Sequence, residues 1–302
     1  MKILLISQYF YPENFKINDL IFSLKKRGHQ ITVLTGKPNY SKTHFFEGYG
    51  WKSGDFETIN DIPVFRANLF SRRNGGAFRL FLNYISFTFL APLKLRKIKG
   101  SFDAIFVYQT SPVTVGIPAI LAKKLFKTPI YFWVQDLWPE SLVAAGGVKN
   151  KFILGFFNSL TKWIYKHSKK VLIQSDGFRE YILNQRIAND KIIFYPNPTE
   201  DFYRPLQKVK EYQEFFQNEF FNIVFAGNIG EAQSFKTIIN AINNVKELPV
   251  KVIVLGDGRY KETALSLIKE KGLESHFNFL GSFHPTEMPK FFSHADALLV
   301  SL

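Results

Sequence analysis

The sequence predicts an α/β fold of two domains, each built on a parallel sheet, the second of them incomplete. Short β-prone apolar runs alternate with helical stretches whose apolar residues fall on one face, which is the rhythm of strand-helix-strand units. That rhythm breaks at Pro196-Asn197-Pro198 and the polar run from Thr199 to Asn218, then restarts, so the domains are expected at 1–198 and 199–302. The chain stops on an apolar stretch, Ala295 to Leu302, with no helix after it to cover a sheet face.

The first strand is expected at Lys2 to Ser7 and the first helix at Asn14 to Arg27, where Ile17, Leu20, Ile21 and Leu24 share a face and Gly28 ends it. A second strand follows at Gln30 to Thr35, and the pairing of the two implies a right-handed crossover. Further strands read at Pro63 to Arg66, Asp103 to Tyr108, Pro129 to Val134, Lys170 to Gln174 and Lys191 to Tyr195. Helices read after Ser111-Pro112, across Lys151 to His167 and after Asp176. In the second half, strands read at Asn222 to Ala226, Val250 to Leu255, His276 to Leu280 and Ala295 to Leu302. Helices between them read at Ser234 to Glu247, Arg259 to Lys271 and Pro285 to Ser293, with Phe235, Ile238, Ile242 and Val245 on the inner face of the first.

A composition 46% apolar and 17% aromatic supports cores for both domains. No cysteine is present, which excludes disulfides and cysteine-based zinc sites and suits a reducing cytosol. The apolar run at the amino terminus is too short for the core of a signal peptide, so nothing marks the chain for export. A net charge of +14 implies an anionic partner. The most apolar segment, Phe78 to Leu93, is followed by Lys94, Arg96, Lys97 and Lys99. It is too short to span a bilayer, and residues 78–99 read either as an interfacial helix on anionic headgroups or as a buried helix with a solvated basic end. No recognised nucleic-acid-binding motif accompanies the charge, so nucleic acid is not expected as a partner.

Ile130 to Val134 is an apolar strand that gives way to Gln135 and Asp136, followed by Pro139-Glu140-Ser141, which suits the first turn of a helix. Ligands of open α/β sheets bind outside the carboxyl ends of such strands, so Asp136 is either a reacting group or a helix cap. Phe225-Ala226-Gly227-Asn228-Ile229-Gly230-Glu231-Ala232-Gln233-Ser234 places two glycines directly after a strand, with Ser234 suited to cap the next helix; backbone amides there could face a phosphate. Gly256-Asp257-Gly258 and Leu280-Gly281-Ser282-Phe283 end the next two strands, and three such turns at one sheet end read as a nucleotide site. The loop after the first strand lacks the glycines of a dinucleotide fingerprint, and neither a phosphate-binding Gly-x-x-x-x-Gly-Lys motif nor a nucleophile elbow occurs. No Asp-x-Asp pair is present, and the six histidines sit singly, without metal-ligand spacing.

With these motifs the chain resembles the family 4 glycosyltransferases, particularly bacterial members that build surface polysaccharides. The resemblance rests on Tyr11-Pro12-Glu13-Asn14, Arg27-Gly28-His29, Val33-Leu34-Thr35-Gly36, Pro38-Asn39-Tyr40 and Gln135-Asp136-Leu137-Trp138-Pro139-Glu140-Ser141. It extends through the Gly227 to Gln233 turn, Gly256-Asp257-Gly258 and the closing Ala295 to Leu302. It implies a GT-B fold: two Rossmann-like domains, an acceptor-side domain at 1–198 and a nucleotide-sugar-binding domain at 199–302, the second truncated before the family's glutamate-bearing donor motif. It implies transfer with retention and without a metal or other cofactor, from a UDP- or GDP-sugar to a lipid-linked saccharide, on the inner face of the cell membrane. By position, Gly227, Asn228, Gly230 and Gln233 would meet the donor diphosphate, while Asp257, Gly258, Leu280, Gly281 and Phe283 would lie near its base. Asp136 would be catalytic, with Asn14, Lys16 and Gln135 on the acceptor side. Many relatives carry an arginine and a lysine where this chain has Asn228 and Gln233, so fewer cations would meet the diphosphate unless Lys16, Lys236 or Arg259 reaches it. The 302-residue chain alone is expected to be weakly active or inactive. Competing expectations are a nucleotide-sugar epimerase of the same fold and a non-catalytic protein whose basic surface holds a membrane.

Overall fold

In the computed structural model, residues 1–40, 44–72, 77–146 and 148–301 are described. The chain divides into two compact units, Met1–Pro198 and Thr199–Leu302. Leu302, the last residue of the closing strand expected from the sequence, lies outside the described residues.

The first unit runs β1 (Lys2–Ser7), α1 (Lys16–Lys26), β2 (Gln30–Gly36), β3 (Phe56–Ile59), β4 (Ile62–Ala67), α2 (Ala77–Leu95) and β5 (Ala104–Gln109). It continues with α3 (Gly116–Phe126), β6 (Ile130–Val134), α4 (Glu140–Gly146), α5 (Lys151–His167), β7 (Lys170–Ile173), α6 (Gly177–Asn184) and β8 (Ile192–Phe194). Its sheet has the order β3-β4-β2-β1-β5-β6-β7-β8, parallel throughout except for β3. From β1 the chain winds to one side through β2 and then to the other through β5, so the switch point lies between β1 and β5, where such sheets bind ligands. Both faces are covered because alternate strand residues are apolar in both directions. Leu4 and Ile6 pack with Phe87, Ala119 and Ile164 from α2, α3 and α5, while Ile3 and Leu5 pack with Ile17 and Ile21 of α1.

The second unit contains β9 (Phe221–Ala226), α7 (Phe235–Asn244), β10 (Val250–Leu255), α8 (Lys261–Glu270), β11 (Phe277–Gly281), α9 (Met288–Phe292) and β12 (Ala297–Leu299). Its four strands are parallel in the order β11-β10-β9-β12. One face carries α7 and α8 over Phe225, Val252 and Val254.

Several expectations are corrected. The strand β3 was not expected; Asn60 and Asp61, at φ 49° and 58°, turn it into an antiparallel hairpin with β4. The first helix begins at Lys16, which leaves Asn14 in the preceding loop. Residues 199–218 are not a bare connection: Tyr212 and Phe216 are buried with Val224, Ile253, Met288 and Phe291, and so close the second face of the small sheet. The last strand is shorter than its apolar run and not buried, with Leu298 55% and Val300 83% exposed, because β12 is an edge with an uncovered face. Ser234 makes no side-chain cap; its left-handed backbone (φ 45°, ψ 45°) accompanies a hydroxyl turned to Thr237 Oγ1 at 2.8 Å.

Candidate functional site

Each sheet carries a polar or glycine-rich rim at the carboxyl ends of its strands. In the first unit Asp136 follows β6 directly, half-buried, and its Oδ2 accepts a hydrogen bond from Ser111 Oγ at 2.7 Å. Ser111, just beyond β5, in turn accepts from Trp138 Nε1 at 3.3 Å. The backbone carbonyl of Asp136 accepts from Gln109 Nε2 at 3.1 Å, and Gln135 N donates to the Gln109 carbonyl at 2.8 Å. Asp136 is therefore fixed by the neighbouring strand end, and among the described residues its side chain makes no hydrogen bond to the helix that follows. Its charge is felt by two tyrosines. Burial chiefly, and Asp136 after it, pushes the Tyr108 hydroxyl far up; Tyr84 is raised mainly by burial, with Arg72 opposing and Asp136 adding.

Gln135 is buried, and its Nε2 has no partner; the same holds for Gln109 Oε1 beside it and Gln8 Oε1 after β1. Among the described residues Gln8 and Gln109 stand at the carboxyl ends of β1 and β5, the two strands of the switch point, and Gln135 at the end of β6 beside them; a bound polar molecule would satisfy such orphan atoms. Asn14 is exposed on the loop after β1, and Lys16 sits in the first turn of α1, where it interacts with other groups.

Glu13 was quoted in the family resemblance but not expected in the site. It is 1% exposed, and its Oε1 accepts from the amides of Asn39 (2.8 Å) and Tyr40 (2.6 Å) just beyond β2. Its Oε2 is buried without a partner. Burial pushes this carboxyl up to about 7, against the pull of those amides.

In the second unit a cavity of about 390 Å³ opens at the ends of β9, β10 and β11, between Ala226-Gly227-Asn228, Leu255-Gly256-Asp257 and Ser282-Phe283. Tyr203, Pro285, Met288 and Phe292 form its apolar side. The Tyr203 and Phe292 rings stack at 6.2 Å and 17°. Of the residues expected to hold the donor, Gly227, Asn228, Asp257 and Phe283 line this cavity. Gly230 and Gln233 lie further along the first turn, where Asn228 Nδ2 donates to Gln233 Oε1 at 3.2 Å. Gly258 and Gly281 serve the turns themselves, and Leu280 packs into the core.

The glycines have a mechanical reason. Gly227 N donates to Leu255 O, Ile229 N to Asp257 O, and Gly256 N to Gly281 O, so the ladder continues past the strand ends and ties the three turns together. At Gly256, with φ +141°, a Cβ would sit 1.9 Å from Gly227 O; at Gly258 it would sit 2.2 Å from Ile229 O. Only backbone without side chains allows that approach. The amides of Gly227, Ile229 and Gly256 are thus engaged within the rim, and that of Gly258 with Asp257 Oδ1. Among the described residues no lysine or arginine lines the cavity.

The residues that sequence reasoning passed over share one signal. Ser111, Arg72 and Ser282 each stand just past the carboxyl end of a strand, and applying the strand-end rule to every strand would have found them.

Two doubly wound sheets, each with its rim at the strand ends, define the GT-B architecture. The chain belongs to the glycosyltransferases: residues 16–198 match the family described as Glycosyl transferase 4-like domain, and residues 207–302 match Glycosyl transferases group 1. It is similar to WcaI of Escherichia coli, provisionally named a colanic acid biosynthesis glycosyl transferase, at 22% identity over 91% of this chain and 70% of WcaI. It is also similar to the uncharacterized glycosyltransferase MJ1059 of Methanocaldococcus jannaschii, at 26% identity over 69% of this chain, and spans about half (52%) of that protein. Among solved structures it resembles Anabaena Alr3699/HepE in complex with UDP, with a TM-score of 0.64, 13% identity, and coverage of 99% of this chain and 73% of that one. At that identity the likeness concerns the fold.

Proposed function

We propose that this glycosyltransferase takes a sugar from a UDP- or GDP-linked donor held by the second unit and passes it to a saccharide held at the strand ends of the first. The observation that carries the reading is the cavity at the ends of β9, β10 and β11, whose apolar side of Tyr203, Phe283, Met288 and Phe292 suits a planar base. A relative that binds UDP on the same fold supports it. Asp136 is the group assigned to the reaction, its carboxylate offsetting positive charge that develops at the anomeric carbon. Retention without a metal is the course the family resemblance implies.

The acceptor proposed is a lipid-linked saccharide in surface-polysaccharide assembly, met at the inner membrane face; similarity to WcaI favours that setting. Among the described residues no helix is long and apolar enough to cross a membrane. A peripheral docking face is proposed along α2, α3 and α5, which pack side by side. No aspartate or glutamate occurs in residues 62–102, 104–135 or 141–175, which contain all three helices. Phe78, Phe81, Phe89 and Leu93 of α2 are exposed on its outer side while Phe87 and Ala91 face the core, so 78–99 is at once a core helix and part of this face. Its basic end is partly neutralised, since Lys94 and Lys97 both pair with Asp55 at 2.6 and 2.7 Å. The stronger anchor is α5, with Phe152 91% and Phe156 64% exposed and lysines at 151, 162 and 166.

Calorimetric titration with UDP, GDP and ADP, followed by transfer of labelled sugar to lipid-linked acceptors, tests the reading. One nucleotide is expected to bind with 1:1 stoichiometry, and Tyr203→Ala to weaken it. Absence of binding by all three would remove the donor assignment, and an epimerised nucleotide-sugar formed without acceptor would replace transfer by epimerisation.

A further inference from the structure

Arg72 stands beyond the carboxyl end of β4 inside a ring of three tyrosines. Its guanidinium carbon lies 4.8 Å from the centroid of Tyr40, 5.3 Å from that of Tyr9 and 5.6 Å from that of Tyr84. Those rings come from the loops after β2 and β1 and from α2, so three separate elements converge on one cation. Nη2 donates to the Tyr9 hydroxyl, while Nε is buried without a partner. Among the described residues no carboxylate lies within ion-pair distance of Arg72.

This is an unusual setting for an arginine. Arg66, by contrast, is 1% exposed and fully employed: it donates to Glu57, to the Gly36 carbonyl and to the Tyr11 carbonyl. Removing a guanidinium from water without an anion is unfavourable, and aromatic faces offset only part of the loss. The acids nearby are directed elsewhere. Glu13 acts on Tyr9 but gives Oε1 to the Asn39 and Tyr40 amides, and Asp136 acts on Tyr84 but is bonded to Ser111. Arg72 and Asp136 therefore bear on Tyr84 with opposite charge, at the end of the sheet where ligands of this topology bind.

We propose that the Arg72 cage is an oxyanion subsite of the acceptor: it takes a phosphate or carboxylate group carried by the saccharide that receives the sugar. The inference rests on the transferase reading for the word acceptor, while the anion site itself stands on the cage. A planar guanidinium fork with an unused Nε matches such a group. The specificity that follows is for an anionic acceptor over a neutral one.

The test follows the tyrosine ring resonances of the 302-residue chain by NMR, with tyrosine selectively labelled and a saturating nucleotide occupying the cavity of the second unit. Glucose 1-phosphate, glucuronate and neutral glucose are added in turn. A phosphate-bearing acceptor predicts saturable shifts with glucose 1-phosphate, an acidic-sugar acceptor predicts them with glucuronate, and neither predicts them with glucose. Arg72→Met is expected to weaken the responding anion at least tenfold, Arg72→Lys to recover part of it, and the nucleotide affinity to stay unchanged in both. If Arg72→Met does not fold, Tyr40→Ala, which removes a partly exposed ring of the cage, is expected to weaken the anion about threefold. The proposal is overturned if neither anion binds, if neither variant weakens binding, or if Arg72→Met lowers nucleotide affinity, which would give the cation to the donor. Anion binding that depends on Arg72 in a chain that binds no nucleotide would keep the subsite and sink the donor assignment.

Discussion

Glu13→Gln should remove one slope from the pH dependence of stability, that of the Glu13 carboxyl. The carboxyl of Glu13 is raised from 4.5 to about 7 because it is buried while only one of its oxygens is bonded. For an acid with a raised folded pKa, the native state holds a proton that the unfolded state has lost. Stability is then greatest below the unfolded value and falls as pH rises toward the folded value. The shift of about 2.5 units corresponds to roughly 3 kcal/mol once both states are ionised, of which about 2.5 kcal/mol develops between pH 5 and pH 8. Glutamine keeps an oxygen for the Asn39 and Tyr40 amides and carries no charge, so its stability lacks this slope. Urea unfolding of both proteins at several pH values isolates the contribution, because histidines and surface acids titrate alike in the two. The wild type should lose stability relative to Glu13→Gln as pH is raised through that window. A difference that is flat, or that runs the other way, would show that Glu13 is ionised in the fold, and the account of its burial would be wrong.

Three further outcomes are expected. Gly256→Ala, whose Cβ would meet Gly227 O at 1.9 Å, should destabilise the second unit by at least about 3 kcal/mol in thermal unfolding, against about 1 kcal/mol for Gly272→Ala, where nothing lies within 4 Å; equal effects would remove the clash as the cause. In a full-length version, Asp136→Asn should fold normally and lower transfer roughly 10²-fold or more, with Ser111→Ala lowering it less; unchanged transfer would leave Asp136 a structural residue. Phe152→Ser with Phe156→Ser should leave stability within about 0.5 kcal/mol and reduce co-sedimentation with phosphatidylglycerol vesicles several-fold, while phosphatidylcholine vesicles bind neither protein; equal retention of both proteins by the anionic vesicles would move the docking face elsewhere.

The strands with two buried faces were legible because their apolar runs are uninterrupted, and α5 spans Lys151–His167 as the sequence reading has it. Lone half-exposed elements were not. Phe56–Ile59 alternates weakly, and its hairpin depends on Asn60 and Asp61 adopting positive φ, a turn signature present in the sequence but overlooked. Tyr212 and Phe216 sit in a polar run with no helical period, so nothing local told that they enter a core. The strand-end acid Asp136 and the glycine turns could be read because chemistry there follows from position along one strand. The settings of Glu13 and Arg72 could not, since each is made by residues from separate strands and helices that only the folded sheet brings together.

The tied turns of the second unit separate what can change from what cannot. The hydrogen bonds that tie one turn to the next run between main-chain atoms, and Gly256 and Gly258 lie against carbonyls of the neighbouring turn. The ties between the turns are thus indifferent to the side chains of Asn228 and Ser282, which stand on the cavity wall. A lineage built on this frame can alter which nucleotide it accepts one wall residue at a time, without passing through an unfolded intermediate. A substitution at either glycine closes that route, because it removes the support from which every variant would start.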